Sequence, residues 1–194
     1  MSIAAKDRIA KEQVLNVPNQ LTVLRLLLSV ALFVLIAFEY YLTSFFVFAV
    51  AAGTDWLDGY YARKYGQVTT LGRILDPFVD KIIVCGTFIF LAAVEGSGVV
   101  PWMAVVVVGR ELLVTALRSF LEGEGADFSA AMAGKLKMVV QCLAVLVSLY
   151  ALYHGQPYPL ALDWALAISV WAAVLLTLYS GASYVHRAYL LLTR

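Results

Sequence analysis

Residues 55–80 read DWLDGYYARKYGQVTTLGRILDPFVD, and four aspartates, Asp55, Asp58, Asp76 and Asp80, fall within this one stretch. Ionisable side chains beside hydrocarbon are costly, so grouped like charges need a partner, and the commonest partner for grouped carboxylates is a divalent cation. On a helix at about 100° per residue, Asp55 and Asp58 stand roughly 60° apart, with Gly59 and Ala62 in the same arc. Trp56, Leu57, Tyr60 and Tyr61 point elsewhere. On the next helix Asp76 and Asp80 are four residues apart and share a face, and Gly72 precedes them by one turn. Facing each other, the two pairs supply about four oxygen donors, enough for one or two hard cations such as Mg2+ or Mn2+. A plainer reading exists for each acid taken alone. Asp76 before Pro77 is an ordinary helix start, Asp as N-cap and Pro at N1, and Asp80 has Lys81 and Arg73 as local partners. It does not account for four acids with small residues interleaved on the same faces.

The rest of the chain is mostly apolar. Of its 194 residues, 62% are hydrophobic and 14% charged, with a mean hydropathy of +0.85, which excludes an ordinary soluble domain. At about 20 apolar residues per crossing there is room for roughly six spans and no separate soluble domain. The apolar runs fall at about 21–38, 45–63, 75–94, 102–121, 133–153 and 162–184. Turn formers separate them, as in Glu95-Gly96-Ser97-Gly98 before Pro101 and in Gly155-Gln156-Pro157-Tyr158-Pro159. The expected fold is an all-α polytopic membrane protein, with six transmembrane helices forming one catalytic domain over residues 18–194. Residues 1–17 mix Ile3, Ile9, Val14 and Leu15 with charges of both signs, and predict an interfacial amphipathic helix before Pro18 turns the chain into the bilayer. The alternative is a disordered tail. A cleaved signal peptide is not expected, because the first apolar run is full length and lacks a small-residue cleavage site.

Basic residues set the expected orientation. Lys6, Arg8 and Lys11 precede the first run; Arg63, Lys64, Arg73 and Lys81 bracket the second connection; Arg118, Lys135 and Lys137 bracket the fourth; Arg187 and Arg194 end the chain. Both termini and the aspartates are therefore expected on the cytoplasmic side, with Glu39, Glu95 and Asp163 opposite. Arg25 and Arg110 lie inside runs and need another explanation. Cys85 and Cys142 fall in apolar runs and read as small packing residues.

Written as a pattern, residues 55–80 give D-x-x-D-G-x-x-A-R-x8-G-x-x-x-D-x-x-x-D. This resembles, at every defined position, the signature of the CDP-alcohol phosphotransferases. The chain is also similar to that family in its six expected helices and amphipathic leader. The resemblance implies attack of an alcohol on the lipid-linked phosphorus of a CDP-activated lipid, with release of CMP, in a bacterial cytoplasmic membrane. It implies two divalent cations, Mg2+ or Mn2+, on Asp55, Asp58, Asp76 and Asp80, with Asp80 also the general base. It implies contacts to the CDP-lipid from Asn19, Thr22, Gly59, Ala62, Arg63, Thr69 and Gly72, and a homodimer. The stretches Asn16-Val17-Pro18-Asn19-Gln20-Leu21-Thr22-Val23-Leu24-Arg25, Gly109-Arg110-Glu111-Leu112 to Ala116-Leu117-Arg118, and Gly134-Lys135-Leu136-Lys137 with Gln141 are similar to bacterial members acting on CDP-diacylglycerol and glycerol 3-phosphate. Met138 departs from that subgroup, which usually has Thr there.

The residues themselves speak to the acceptor. Arg110 lies well into its run, and Arg118 two turns nearer the cytoplasm on a broadly similar face. With Lys135 or Lys137 they form a basic pocket suited to an acceptor that carries its own phosphate. Glycerol 3-phosphate fits this, whereas free serine and free inositol fit less well. Lys135 and Lys137 point to opposite sides of a regular helix, and both, like Arg118, also read as cytoplasmic anchors. Glu111 or helix packing also accounts for Arg110. Arg25 either reaches toward the diphosphate or snorkels to the interface. The expected partners are CDP-diacylglycerol, glycerol 3-phosphate, membrane lipid and a second copy of the chain, and no nucleic acid. The competing readings are the same chemistry with inositol phosphate or an acidic phospholipid as acceptor, a divalent-cation transporter, and a non-catalytic scaffold.

Overall fold

The computed structural model describes residues 17–65, 70–123 and 132–193, so the expected amphipathic leader lies outside the described residues. The described residues form six helices: α1 Val17–Ala37, α2 Tyr41–Tyr65, α3 Thr70–Ala92, α4 Pro101–Gly123, α5 Met132–His154 and α6 Leu160–Leu192. Each expected apolar run lies on one helix. Two helices contain stretches long and apolar enough to cross a membrane, Leu136–His154 and Leu160–Leu191, and shorter apolar helical stretches occupy Thr22–Ala37, Tyr41–Thr54 and Lys81–Ala92.

Local chemistry sets the helix ends. Helix α1 closes with Glu39 in the left-handed region (φ 63°). Its N–H donates to the Ile36 carbonyl at 3.0 Å, and the Tyr40 N–H donates to the Leu35 carbonyl at 2.9 Å. These are the two bonds of a Schellman end, a place usually given to glycine. Pro101 opens α4 and Pro159 caps α6, where a missing N–H costs nothing. Between α3 and α4, Ser97 Oγ donates to the Leu91 carbonyl at 2.7 Å and accepts the Val99 N–H at 3.1 Å. A Cβ on Gly98 would come within 2.8 Å of Leu166 Cγ, so this turn packs directly on α6.

Two expectations change. Helix α3 starts at Thr70, so Asp76 is not an N-cap and Pro77 lies in the helix interior, where the plainer reading of this pair fails. Helix α6 runs 33 residues, about 50 Å, well past the expected end at Tyr184.

The helices fall into two compact units, residues 1–83 and 84–194, with the boundary inside α3. In the first, α1 packs on α2. Thr22, Arg25, Ser29, Leu32 and Ile36 are buried along α1 at alternating steps of three and four, and Ser44, Phe48 and Ala51 do the same on α2. This is the seam spacing of paired helices. The two seam serines bond back to carbonyls four residues earlier, Ser29 Oγ donating to the Arg25 carbonyl at 2.8 Å and Ser44 Oγ to the Tyr40 carbonyl at 2.9 Å, so the burial of these two leaves neither hydroxyl donor unmet.

In the second unit α6 packs against both α4 and α5. Its seam runs Leu166, Val170, Ala173, Thr177, Ser180, Tyr184 and Ala188, while Trp164, Ile168, Trp171 and Leu175 on the same helix are exposed. On α5, Lys137, Gln141 and Ser148 are buried while Leu136, Val139 and Leu143 face outward. Polar groups inside and large apolar groups outside is the arrangement of a protein whose solvent is lipid. Neither Cys85 nor Cys142 is in a disulfide, and both are half-buried.

Candidate functional site

The four aspartates lie on regular helix in the first unit, Asp55 and Asp58 near the end of α2, Asp76 and Asp80 near the start of α3. Their side chains lie outside the described residues, as do those of Asn19, Ala62 and Arg63 and the packing at Gly59 and Gly72, and Thr69 falls in the segment 66–69, also outside them. The backbone places each acidic pair on successive turns of one helix, as the spacing requires. Thr22 is buried in the α1 seam one turn before Arg25. Arg25 is itself only 2% exposed, so it does not snorkel.

The second unit carries a polar cluster at full side-chain detail. Arg110 and Glu111 come from α4, Lys137 from α5, and Ser180 and Tyr184 from α6. Arg110 Nη1 donates to Glu111 Oε1 at 2.9 Å, and Arg110 Nη2 donates to Ser180 Oγ at 2.6 Å. The Lys137 ammonium pairs with the same Glu111 Oε1. These charges are buried, with side chains 9%, 12% and 7% exposed for Arg110, Glu111 and Lys137. One turn further along α5, Gln141 Nε2 donates to Thr177 Oγ1 at 2.8 Å, and that hydroxyl donates to the Ala173 carbonyl at 2.6 Å.

Arg118, two turns beyond Arg110, reaches the same place from above. Its Nη2 donates to the Tyr184 hydroxyl at 3.4 Å, and its Cζ stands 6.0 Å from the ring centroid; Arg110 Cζ stands 5.5 Å from the same centroid. Small residues make the approach possible. A Cβ on Gly181 would come within 3.1 Å of Arg110 Cγ, and one on Gly134 within 3.3 Å of the Tyr184 hydroxyl.

Of the four cations expected to form a basic pocket, the structure brings together Arg110, Arg118 and Lys137. The side chain of Lys135 lies outside the described residues. Lys137 is no surface anchor, because it is buried and paired with Glu111. Glu111 also partners Arg110, as the alternative reading of Arg110 had it, yet among the described residues one carboxylate stands beside three cations. Arg110 Nε and Arg118 Nε are buried with no hydrogen-bond acceptor among the described residues. Buried donors without acceptors are costly, and a bound anion would relieve that cost. The excess of positive charge and the unclaimed donors suit a phosphate or carboxylate ligand.

Ser180, Tyr184 and Thr177 were not among the expected site residues. The available signal was a row of polar or small residues at steps of three and four, Thr177, Ser180, Gly181 and Tyr184, along an otherwise apolar helix.

Fold and cluster together define a helical membrane protein with a cation-rich polar cluster in its interior. A family model described as CDP-alcohol phosphatidyltransferase matches residues 15–179. The chain is 34% identical over 184 residues to the CDP-diacylglycerol–glycerol-3-phosphate 3-phosphatidyltransferase of Bacillus subtilis, covering 87% of this chain and 93% of that one. It is 31% identical over 179 residues to the protein of the same name from Haemophilus influenzae, covering 89% and 93%. It is 37% identical over 194 residues to a probable phosphatidylglycerophosphate synthase of Mycobacterium tuberculosis, covering 96% and 85%. The chain belongs to the CDP-alcohol phosphatidyltransferases.

Proposed function

We propose that this enzyme transfers the phosphatidyl group of CDP-diacylglycerol to glycerol 3-phosphate, giving phosphatidylglycerophosphate and CMP. The observation that carries the acceptor is the cluster in which buried Arg110 and Lys137 share Glu111, one carboxylate among the described residues, while half-buried Arg118 joins Arg110 at the Tyr184 ring. A phosphate monoester offers the oxygens that the unclaimed guanidinium donors lack, and a neutral alcohol such as free inositol does not. The names borne by the relatives from B. subtilis and H. influenzae support the same acceptor.

In the reaction a hydroxyl oxygen of glycerol 3-phosphate bonds to the phosphorus that carries diacylglycerol. The bond from that phosphorus to the bridging pyrophosphate oxygen breaks, and CMP leaves with the electron pair. Asp80 takes the proton from the attacking hydroxyl. Asp55, Asp58, Asp76 and Asp80 form a donor set of the hard, anionic kind that suits two divalent cations, Mg2+ or Mn2+. Such ions, when bound, offset pyrophosphate charge and stabilise the leaving group. Thr22 and Asn19 on α1, with Gly59, Ala62, Arg63, Thr69 and Gly72, hold the CDP-lipid. Lys135 joins Arg110, Arg118 and Lys137 on the acceptor phosphate. In this reading all six helices cross a bacterial cytoplasmic membrane, with both termini and the aspartates on the cytoplasmic side, and the chain works as a homodimer.

The test is CMP release from CDP-diacylglycerol by the purified chain in detergent, against glycerol 3-phosphate, inositol phosphate, an acidic phospholipid, serine and glycerol. Glycerol 3-phosphate should be the preferred acceptor, activity should vanish with EDTA and return with Mg2+ or Mn2+, and Asp80→Asn should fold yet release no CMP. Preference for another acceptor rejects the proposed substrate, and turnover by Asp80→Asn rejects the assignment of the base. Metal flux into sealed vesicles without nucleotide would support a transporter instead.

A further inference from the structure

The acceptor cluster contains a side chain that carries no charge and does not belong to the expected set. Tyr184 is 3% exposed, on the seam face of α6, packed among Val114, Leu121 and Ala188. Two guanidinium groups of α4 converge on it, Arg110 at 5.5 Å and Arg118 at 6.0 Å from the ring centroid. These arginines are eight residues apart, so their Cα atoms stand about 12 Å apart along the helix axis, and no helical periodicity alone brings their charges to one point. The ring does so from the facing helix. Its electron-rich face attracts both cations, and its hydroxyl accepts from Arg118 Nη2 at 3.4 Å.

The two arginines depend on the ring unequally. Arg110 is also fixed by Glu111 and Ser180. Arg118 has, among the described residues, only Tyr184 as a polar or ring partner. We propose that Tyr184 is the positioning residue for the acceptor phosphate: it holds Arg118 beside Arg110 so that both guanidinium groups present donors to one anion. This rests on the reading of the cluster as the acceptor site. The packing around Tyr184 fits the role, since Gly134 leaves room for the hydroxyl and Gly181 lets the Arg110 stem pass α6.

The test measures KM for glycerol 3-phosphate, KM for CDP-diacylglycerol and kcat in the full chain. Tyr184→Leu should raise the acceptor KM about tenfold, the scale of a lost cation–ring contact and hydrogen bond in a buried site, and leave the CDP-diacylglycerol KM unchanged. Tyr184→Phe keeps the ring face and should restore most of the loss. Arg118→Gln should raise the acceptor KM as well, and adding Tyr184→Leu to it should bring little further change, because the ring then has no Arg118 to place. If Tyr184→Leu does not fold, fluorinated phenylalanines introduced at position 184 weaken the ring face at nearly constant shape, and the acceptor KM should climb with each fluorine. An acceptor KM that ignores Tyr184→Leu or the fluorine series, while responding to Arg118→Gln, overturns the role of Tyr184 and leaves the acceptor site standing. An acceptor KM that ignores Arg110→Gln and Arg118→Gln overturns both. Equal changes in the two KM values with a matching fall in thermal stability would make Tyr184 a packing residue only.

Discussion

Glu111→Gln removes the one negative charge shared by Arg110 and Lys137 while keeping shape and a single acceptor oxygen. In the parent, Glu111 Oε1 takes Arg110 Nη1 at 2.9 Å and also the Lys137 ammonium. All three side chains are about nine-tenths buried, so water cannot replace the lost charge. Breaking a buried pair by removing one partner costs about 3–5 kcal/mol, because the remaining charges stay behind uncompensated. The glutamine oxygen keeps one hydrogen bond, which places the expected loss near the lower end, about 3 kcal/mol. At roughly 2–4 °C per kcal/mol for a chain of this size, the unfolding midpoint in detergent should drop by about 6–12 °C. Removing Lys137 as well, in Glu111→Gln/Lys137→Met, should recover part of that drop, since one stranded cation is gone. Inorganic phosphate should raise the midpoint of Glu111→Gln more than that of the parent, because an anion can then claim two freed cations. The measurement is a thermal melt followed by intrinsic fluorescence, with and without phosphate. A variant as stable as the parent, or one that phosphate does not stabilise preferentially, would refute the account of Glu111 as the internal counterion of this site.

Gly181→Val adds branches where even a Cβ would stand 3.1 Å from Arg110 Cγ. It should push Arg110 off Ser180 and raise the acceptor KM about tenfold while CDP-diacylglycerol binding is unchanged, which steady-state kinetics will check. The apolar replacement Arg110→Met/Glu111→Leu/Lys137→Met should be inactive yet melt no lower than the parent, because well-packed apolar groups often match or exceed a buried ion network in stability. A large drop in its melting temperature would show that the network is there for stability. Cysteine labelling of a cysteine-free background should modify Lys64→Cys only from the cytoplasmic side and Glu39→Cys only from the opposite side. The reverse pattern would invert the proposed topology.

Much of the helical framework was legible because apolar run length and turn chemistry are local. The break at Gly155 to Pro159 and the start at Pro101 need only neighbouring residues to be understood. Arg110, Arg118 and Lys137 were legible for a similar reason, since a cation inside an apolar run is conspicuous one residue at a time. Glu111 was harder to place. Neighbours at i and i+1 do not normally face each other on a helix, and only the length of the arginine side chain lets the pair close. Tyr184 and Ser180 were illegible as site residues. A tyrosine near the end of an apolar run reads as an interfacial anchor, and its contact to Arg118 spans 66 positions, a relation no periodicity encodes. The length of α6 was missed because His186 and Arg187 interrupt the apolar run, although the apolar sequence resumes at once as Ala188-Tyr189-Leu190-Leu191-Leu192 and the helix continues through it. The reach of α3 back to Thr70 was missed because Asp76-Pro77 imitates a helix start.

The distribution of charge argues for two substrates of different kinds. The chain is nearly neutral, at +1, yet its first unit holds the four aspartates of the motif, and its second, among the described residues, gathers Arg110, Lys137 and Arg118 near the one carboxylate of Glu111. Carboxylates cannot receive a phosphate without an intervening cation, so the acidic set suits a diphosphate that arrives with metal. Guanidinium and ammonium groups receive a phosphate directly, so the basic set suits a metal-free monoester. A protein holding only one anionic substrate has use for one of these arrangements. A transferase that must hold a nucleotide-linked lipid and a phosphorylated alcohol together has use for both, because the two anions repel each other and each needs its own compensation. That requirement accounts for the buried charges of the second unit, Arg110, Glu111 and Lys137, whose retention packing alone does not favour.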